Sequence, residues 1–240
     1  MQMYLFYIVY YKGVKVMFSR IKSDIKAILE RDPAARNAYE VMLLYPGLHA
    51  IIIHRLAHCF YMKNFRFLAR IISVINRFLT GVEIHPGARI GEGVFIDHGA
   101  GVVIGETAEV GNNVTIYQGV TLGGTGKDKG KRHPTIGNNV VISSGAKVLG
   151  PFKVGDNSKI GAGAVVLKEV PANCTVVGVP GRIVKKDNTQ ICSVTNNIDL
   201  DQVRLPDPIQ KEIEDIAQRL KDLESKLEMI ETLPTLYINS

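Results

Sequence analysis

A six-residue step governs the middle of this 240-residue chain. Aliphatic or small residues stand at Ile84, Ile90, Ile96, Val102, Ala108, Val114 and Val120, and again at Ile136, Ile142, Val148, Val154, Ile160, Val166 and Ala172. Glycine commonly follows an aliphatic residue, as in Ile90-Gly91, Val110-Gly111, Ile136-Gly137 and Ile160-Gly161. An α-helix repeats every 3.6 residues and a half-buried strand every two, so neither produces this period. A six-residue repeat in a glycine-rich, β-branched background is the pattern of a parallel β-helix, three hexapeptides closing one triangular coil of about eighteen residues. The aliphatic residues then stack inside as ladders. A β-sandwich would instead show turn signals every 8 to 12 residues over period-two alternation.

The step from Val120 to Ile136 is sixteen, read as one repeat plus ten inserted residues. The interrupting stretch, "VTLGGTGKDKGKRHPTIG", is glycine-rich and basic. It does not fit the phosphate loop G-x-x-x-x-G-K-[ST], because Asp128 follows Gly126-Lys127 and no glycine stands five residues before Gly126. Nor does it open a helix after a strand, so nucleotide hydrolysis is excluded.

The flanks differ from the repeat. Residues 17–80 read as a helical domain, with Ile21, Ile25, Ile28 and Leu29 at helical spacing and Asp32-Pro33 ending the first run. Residues 1–16, "MQMYLFYIVYYKGVKV", are apolar and aromatic without a basic start or a cleavage site. They read as an upstream start-site artefact before Met17 or a loose arm. The β-helix is assigned to 81–184, a polar linker to 185–205, a helix to 206–232 and a tail to 233–240. In that helix Ile209, Ile213, Ile216, Leu220, Leu223, Leu227 and Ile230 alternate steps of four and three, an a/d heptad pattern. With Ile213 at a, Arg219 and Glu224, and Lys226 and Glu231, form g/e pairs that suit parallel strands of a coiled coil. The fold class expected is α+β: N-terminal helices, a parallel β-helix of hexapeptide repeats and a C-terminal coiled-coil helix, with a trimer favoured over other assemblies.

Composition excludes several function classes. Hydrophobic residues make up 46 % of the chain, enough for a core. The net charge of +6 is spread along the chain, with no tryptophan and 7 % aromatic residues, so nucleic acid is not expected as a partner. A small phosphorylated substrate is the more economical anion. No 18-residue uninterrupted apolar run occurs, which argues against a membrane. Cys59, Cys174 and Cys192 are too widely spaced for a metal cluster and point to a reducing, cytoplasmic setting. His54 and His58 lie four apart on a helix but lack an evident third ligand, so no metal is assigned.

The polar residues that interrupt the repeat carry the candidate chemistry. Glu83, His85, Asp97 and His98 crowd into "VEIHPGARIGEGVFIDHGAG", and Arg132-His133 lies in the insert. A histidine beside glycines titrates near neutrality and can take a proton from a hydroxyl. An arginine on a loop can hold a carboxylate through two parallel hydrogen bonds. A β-helix is a scaffold and does not by itself fix a function, so an enzyme acting on a small molecule and a non-catalytic oligomerising module both stay open.

The segments "DPAARNAYEVMLLYPGLHA", "VEIHPGARIGEGVFIDHGAGVVIGETA", "VTLGGTGKDKGKRHPTIG", "GAGAVV" and "VVGVPGRIV", in that order, closely resemble the serine O-acetyltransferases, hexapeptide-repeat enzymes that make O-acetylserine for cysteine synthesis. The resemblance runs from about Ile25 to Val184. It implies a left-handed β-helix, a cytoplasmic enzyme, acetyl-CoA as co-substrate with no tightly bound cofactor, and L-serine as acceptor. It implies His98 as general base and Glu83 as its orienting partner, at a position where the family often has aspartate. Asp97 would hold the serine ammonium and Arg132 its carboxylate, with His133 and Asp32 completing the pocket. Gly124, Ser144 and Ala162 would line the acetyl-CoA groove. The family's sites lie between subunits of a trimer. Here the helical domain is shorter than in the relatives that pair two trimers, so a hexamer is not implied. The ending "LPTLYINS" lacks the terminal isoleucine with which some relatives engage O-acetylserine sulfhydrylase, so that complex is not expected.

Overall fold

The computed structural model describes residues 2–126, 128–185 and 208–231, in two compact units divided after Leu205. The first unit opens with four helices: α1 (Gln2–Arg31), α2 (Ala38–Leu44), α3 (Pro46–Met62) and α4 (Arg66–Thr80). Local chemistry sets their ends. Asn37 accepts the Glu40 amide at 3.0 Å as the cap of α2, Pro46 occupies the first turn of α3, and Gly81 closes α4 in the left-handed region at φ 72°. Ile28, Val41, Leu48 and Phe95 form a small core between the helices and the first coil of the repeat. A buried ion pair reinforces it: Asp24 of α1 accepts from Arg55 of α3 and from the Gly93 amide at 2.9 Å.

The repeat is a three-sided parallel β-helix, the architecture expected of the left-handed hexapeptide type. Its first sheet stacks Glu83–Ile84, Val103–Ile104, Thr121–Gly123, Lys147–Leu149 and Val165–Val166. The second stacks Arg89–Ile90, Glu109–Val110, Thr135–Ile136 and Lys153–Val154. The third runs from Phe95–Ile96 through Thr115–Ile116, Val141–Ile142 and Lys159–Ile160 to Thr175–Val177, and an antiparallel strand, Arg182–Lys185, closes it. One face of each short strand feeds a single continuous apolar interior.

Register refines the repeat count. Val103 pairs with Thr121, and Lys147 with Val165, eighteen residues apart as a regular coil requires. Glu83 pairs with Val103, twenty apart, and Thr121 with Lys147, twenty-six apart. The extra residues are therefore two in the turn at 97–101 and eight in the loop after Gly123. The sequence reading had placed all ten in the later loop. Each hexapeptide buries two side chains, two positions apart, as with Val94 and Ile96 or Val102 and Ile104. A six-residue count can slip from one to the other, which concealed the insertion at His98.

The turns define three corners, the first joining sheets one and two, the second sheets two and three, and the third sheets three and one. At the second corner Asn113, Asn139, Asn157 and Asn173 all take φ between 56° and 59°, a conformation asparagine tolerates. Asn139 donates to Asn157, and Asn157 to Asn173, each at 3.0 Å, so the corner carries a side-chain ladder. The third corner repeats its glycines, with Gly119 donating to Ala100, Gly145 to Gln118 and Gly163 to Ser144.

The second unit contains α5 (Pro208–Glu231), on which Ile213, Ile216, Leu220, Leu223 and Leu227 are all exposed. Among the described residues no helix is long and apolar enough to cross a membrane.

Candidate active site

The site residues fall on two corners of the prism. At the third corner, Asp97 and His98 occupy the two-residue insertion, where His98 is held at φ 57° and Gly99 at φ 73°. This strained turn pushes the His98 ring outward, its side chain 73 % exposed, with Nε2 3.7 Å from the Asp97 carboxylate. Asp32, just past α1, joins them: it receives the Tyr45 hydroxyl at 2.6 Å. Burial raises the Asp97 pKa above the ordinary carboxylate value; the His98 charge opposes this and Asp32 adds to it. The result is a carboxylate-rich recess beside an exposed imidazole, suited to an ammonium group next to a hydroxyl.

The first corner carries the complementary chemistry. Arg132 donates to Glu106 at 2.5 Å, and Glu106 also receives the Tyr61 hydroxyl of α3 at 2.9 Å. These donors hold the Glu106 carboxyl below its usual value, Arg132 most strongly. His133 is buried, and Gly105 makes room for it: a methyl group at Gly105 would overlap the His133 ring. His85 stands nearby, edge-on to Tyr61 with ring centroids 5.8 Å apart, its Nδ1 accepting the Gly87 amide at 3.0 Å. Burial, then Arg70, lowers its pKa to about 4, so the ring is neutral. A guanidinium and two neutral imidazoles suit an anion such as a carboxylate.

Eight of the nine expected residues divide between these corners, and Glu83 lies in the first strand. Asp32, Asp97 and His98 come together at the third, and Arg132 and His133 at the first. Ser144 and Ala162 line the third corner above His98, on successive rungs of the glycine ladder. At about 4.8 Å per coil the corner from His98 to Ala162 runs on the order of 14 Å along the axis. Gly124 instead opens the loop at the first corner, against Arg132 and His133. The Glu83 carboxylate is held by Arg77 at 3.0 Å and its pairing here is with that residue, not with His98. Tyr45, Tyr61, Glu106 and Thr107 went unrecognised in the sequence. A twenty-residue first coil places Glu106 over Pro86 and Thr107 over Gly87, beside His85, the signal that would have found them. His54 is 2 % exposed and its ring lies 5.8 Å from His58, which contacts the Pro86 carbonyl at 2.8 Å. Among the described residues no cluster could hold a metal ion.

A parallel hexapeptide β-helix with an exposed histidine at a glycine-laddered corner is the architecture of a hexapeptide-repeat acyltransferase. The family model described as bacterial transferase hexapeptide (six repeats) matches residues 133–168, and that of the serine acetyltransferase N-terminal domain matches residues 2–52. The serine acetyltransferase of Bacillus subtilis (strain 168) is 54 % identical over 213 residues, 89 % of this chain and 96 % of that protein. The chain belongs to the serine acetyltransferase family. A Neisseria gonorrhoeae serine acetyltransferase in complex with serine is similar at 44 % identity and TM-score 0.69, covering 71 % of this chain and 70 % of that one. A Brucella abortus serine acetyltransferase in complex with coenzyme A is similar at 48 % identity and TM-score 0.69, covering 70 % and 68 %.

Proposed function

We propose that the chain transfers acetyl from acetyl-CoA to the serine hydroxyl at a site shared by two neighbouring subunits of a trimer. The observation that carries this reading is the separation of the two half-sites onto the two corners that flank the first sheet. Three copies around an axis facing that sheet would bring the third corner of each against the first corner of the next. Asp97 and Asp32 of one subunit then hold the serine ammonium, while Arg132 and His133 of its neighbour hold the carboxylate. His98 takes the proton from the serine hydroxyl as the oxygen attacks the thioester carbonyl. The tetrahedral intermediate collapses with loss of the CoA sulfur, to which His98 returns the proton, giving O-acetylserine and CoA. Pantetheine would lie along the third corner past Ser144 and Ala162. The Arg77 pairing of Glu83 keeps a carboxylate at the edge of the first sheet, where its role as an orienting group for His98 falls to the assembled site.

The exposed apolar stripe of α5 supports the same assembly. Its a positions are Ile213, Leu220 and Leu227 and its d positions Ile209, Ile216, Leu223 and Ile230. Leucine prevailing at a and isoleucine at d favours more than two strands, and the Arg219–Glu224 and Lys226–Glu231 pairing favours parallel ones. A coupled assay of CoA release with serine tests the chemistry: His98→Ala should abolish turnover, and unchanged turnover would remove His98 as base.

A further inference from the structure

The hydrogen bonds of the Thr107 hydroxyl can be counted to completion. Its Oγ1 accepts the backbone amides of Arg132 at 3.0 Å and His133 at 3.1 Å, which occupies both lone pairs. The hydroxyl proton is left for the one remaining contact, His133 Nδ1 at 2.9 Å. The Thr107 amide also donates to Nδ1, at 3.2 Å. A nitrogen receiving two donors carries no proton of its own, so the ring proton sits on Nε2, which faces the Gly105 and Gly124 backbone.

We propose that Thr107 is a positioning residue that fixes His133 as a neutral hydrogen-bond donor through Nε2–H, and that it anchors the insert to the repeat in the same step. This rests on the reading of Arg132 and His133 as the pocket for the serine carboxylate. The site then holds two histidines with separate duties. His98, exposed and lacking such donors, is free to accept a proton, whereas His133 has its basic nitrogen blocked and can only donate. The charges facing His133 act with the lock: Arg132 and Lys131 oppose its protonation, Glu106 favours it, and the nearby His85 is neutral. Burial is the largest of these influences and lowers the His133 pKa. The tie is also mechanical, because Arg132 and His133 are held by their backbone amides to the turn that presents Glu106, the partner of the Arg132 side chain.

Nitrogen-15 spectra of the histidine rings in the full chain, as wild type, Thr107→Val and Thr107→Ser, test the proposal alongside steady-state kinetics. The wild type should show His133 with Nδ1 bare and Nε2 protonated. Thr107→Val, similar in shape but without the hydroxyl, should raise the His133 titration midpoint and mix its tautomers. It should also raise the KM for serine roughly tenfold while leaving the KM for acetyl-CoA unchanged. Thr107→Ser should restore both. A wild-type His133 protonated at Nδ1 would overturn the proposal, as would a valine variant with wild-type ring shifts and KM, or a serine variant that behaves like valine. If the valine chain does not fold, the wild-type ring assignment and the serine variant decide the matter. If the wild type transfers no acetyl to serine, the pocket reading fails, while the tautomer is still decided by the spectra alone.

Discussion

His98 and Arg132 leave the repeat at its third and first corners, on either side of the first sheet. The proposed sharing of the site between neighbours predicts that the two residues are separable by genetics. Chains carrying His98→Ala and chains carrying Arg132→Ala should each be inactive, yet mixed trimers should recover activity. With random assortment about one site in four receives an intact corner from each neighbour. Co-expression of the two variants with separable tags, followed by assay of the doubly tagged fraction, measures the recovery. Absence of any recovery would place the complete site within one chain.

Asp97 should set an acid limb in serine binding. Burial, with Asp32 nearby, raises its pKa, so the carboxylate is lost at a higher pH than for an ordinary aspartate. Only the ionised form attracts an ammonium group, and the KM for serine should therefore climb as the pH falls through that raised value. Asp32→Asn removes the repulsion from that neighbour and should displace the limb to lower pH, even as it weakens binding overall. A limb that stays in place in this variant would show that another group titrates there.

The architecture was legible because its cause is local: a six-residue period with glycine at the turns admits one scaffold. The residues at its turns were legible as chemistry, since Asp97, His98, Arg132 and His133 stand out against an apolar background. Their partners were not. Tyr45 reaches Asp32 from thirteen residues away, and Tyr61 reaches Glu106 from forty-five, distances set by helix packing and not by any repeat. Glu106 and Thr107 were obscured by the slip between the two inward positions of each hexapeptide, which moved the two-residue insertion at His98 into the later loop. Glu83 shows the limit of position alone: it lies where an orienting carboxylate was expected, and in the chain it pairs with Arg77.

Acid should unfold the helical unit through His54. Its ring is buried and leaves Nδ1 without a partner, and burial, then the charge of His58, lowers its pKa from 6.5 to about 3. Between these values the unfolded chain binds a proton that the folded chain refuses, so stability rises with pH across the window and is lost as pH falls from about 6.5 toward 3. The size is on the order of a few kcal/mol. His85, lowered to about 4, acts in the same direction. Urea midpoints measured from neutral pH downward should therefore decline steeply in the wild type. His54→Asn should start lower and decline less, and an equal slope in both would assign the acid lability to other groups.

The apolar stripe of α5 should hold subunits together without contributing to the fold of any one of them. Leu220 is 57 % exposed in the chain, so Leu220→Asp opens no buried cavity within it. In a parallel bundle the same change places one aspartate per strand in a shared apolar layer, where carboxylates repel and are desolvated. Sedimentation over a dilution series should show the variant dissociating at concentrations where the wild type remains assembled. Its specific activity should fall with dilution in step, since a shared site is lost with its neighbour. Ser225→Asp, on the outer f position of the same helix, should change neither measurement. The reversed pair Arg219→Glu with Glu224→Arg should assemble as the wild type does, whereas either change alone weakens association by placing like charges together. If Leu220→Asp sediments as the wild type at every dilution, α5 is not a clamp, and the first sheet with its two corners must hold the subunits unaided.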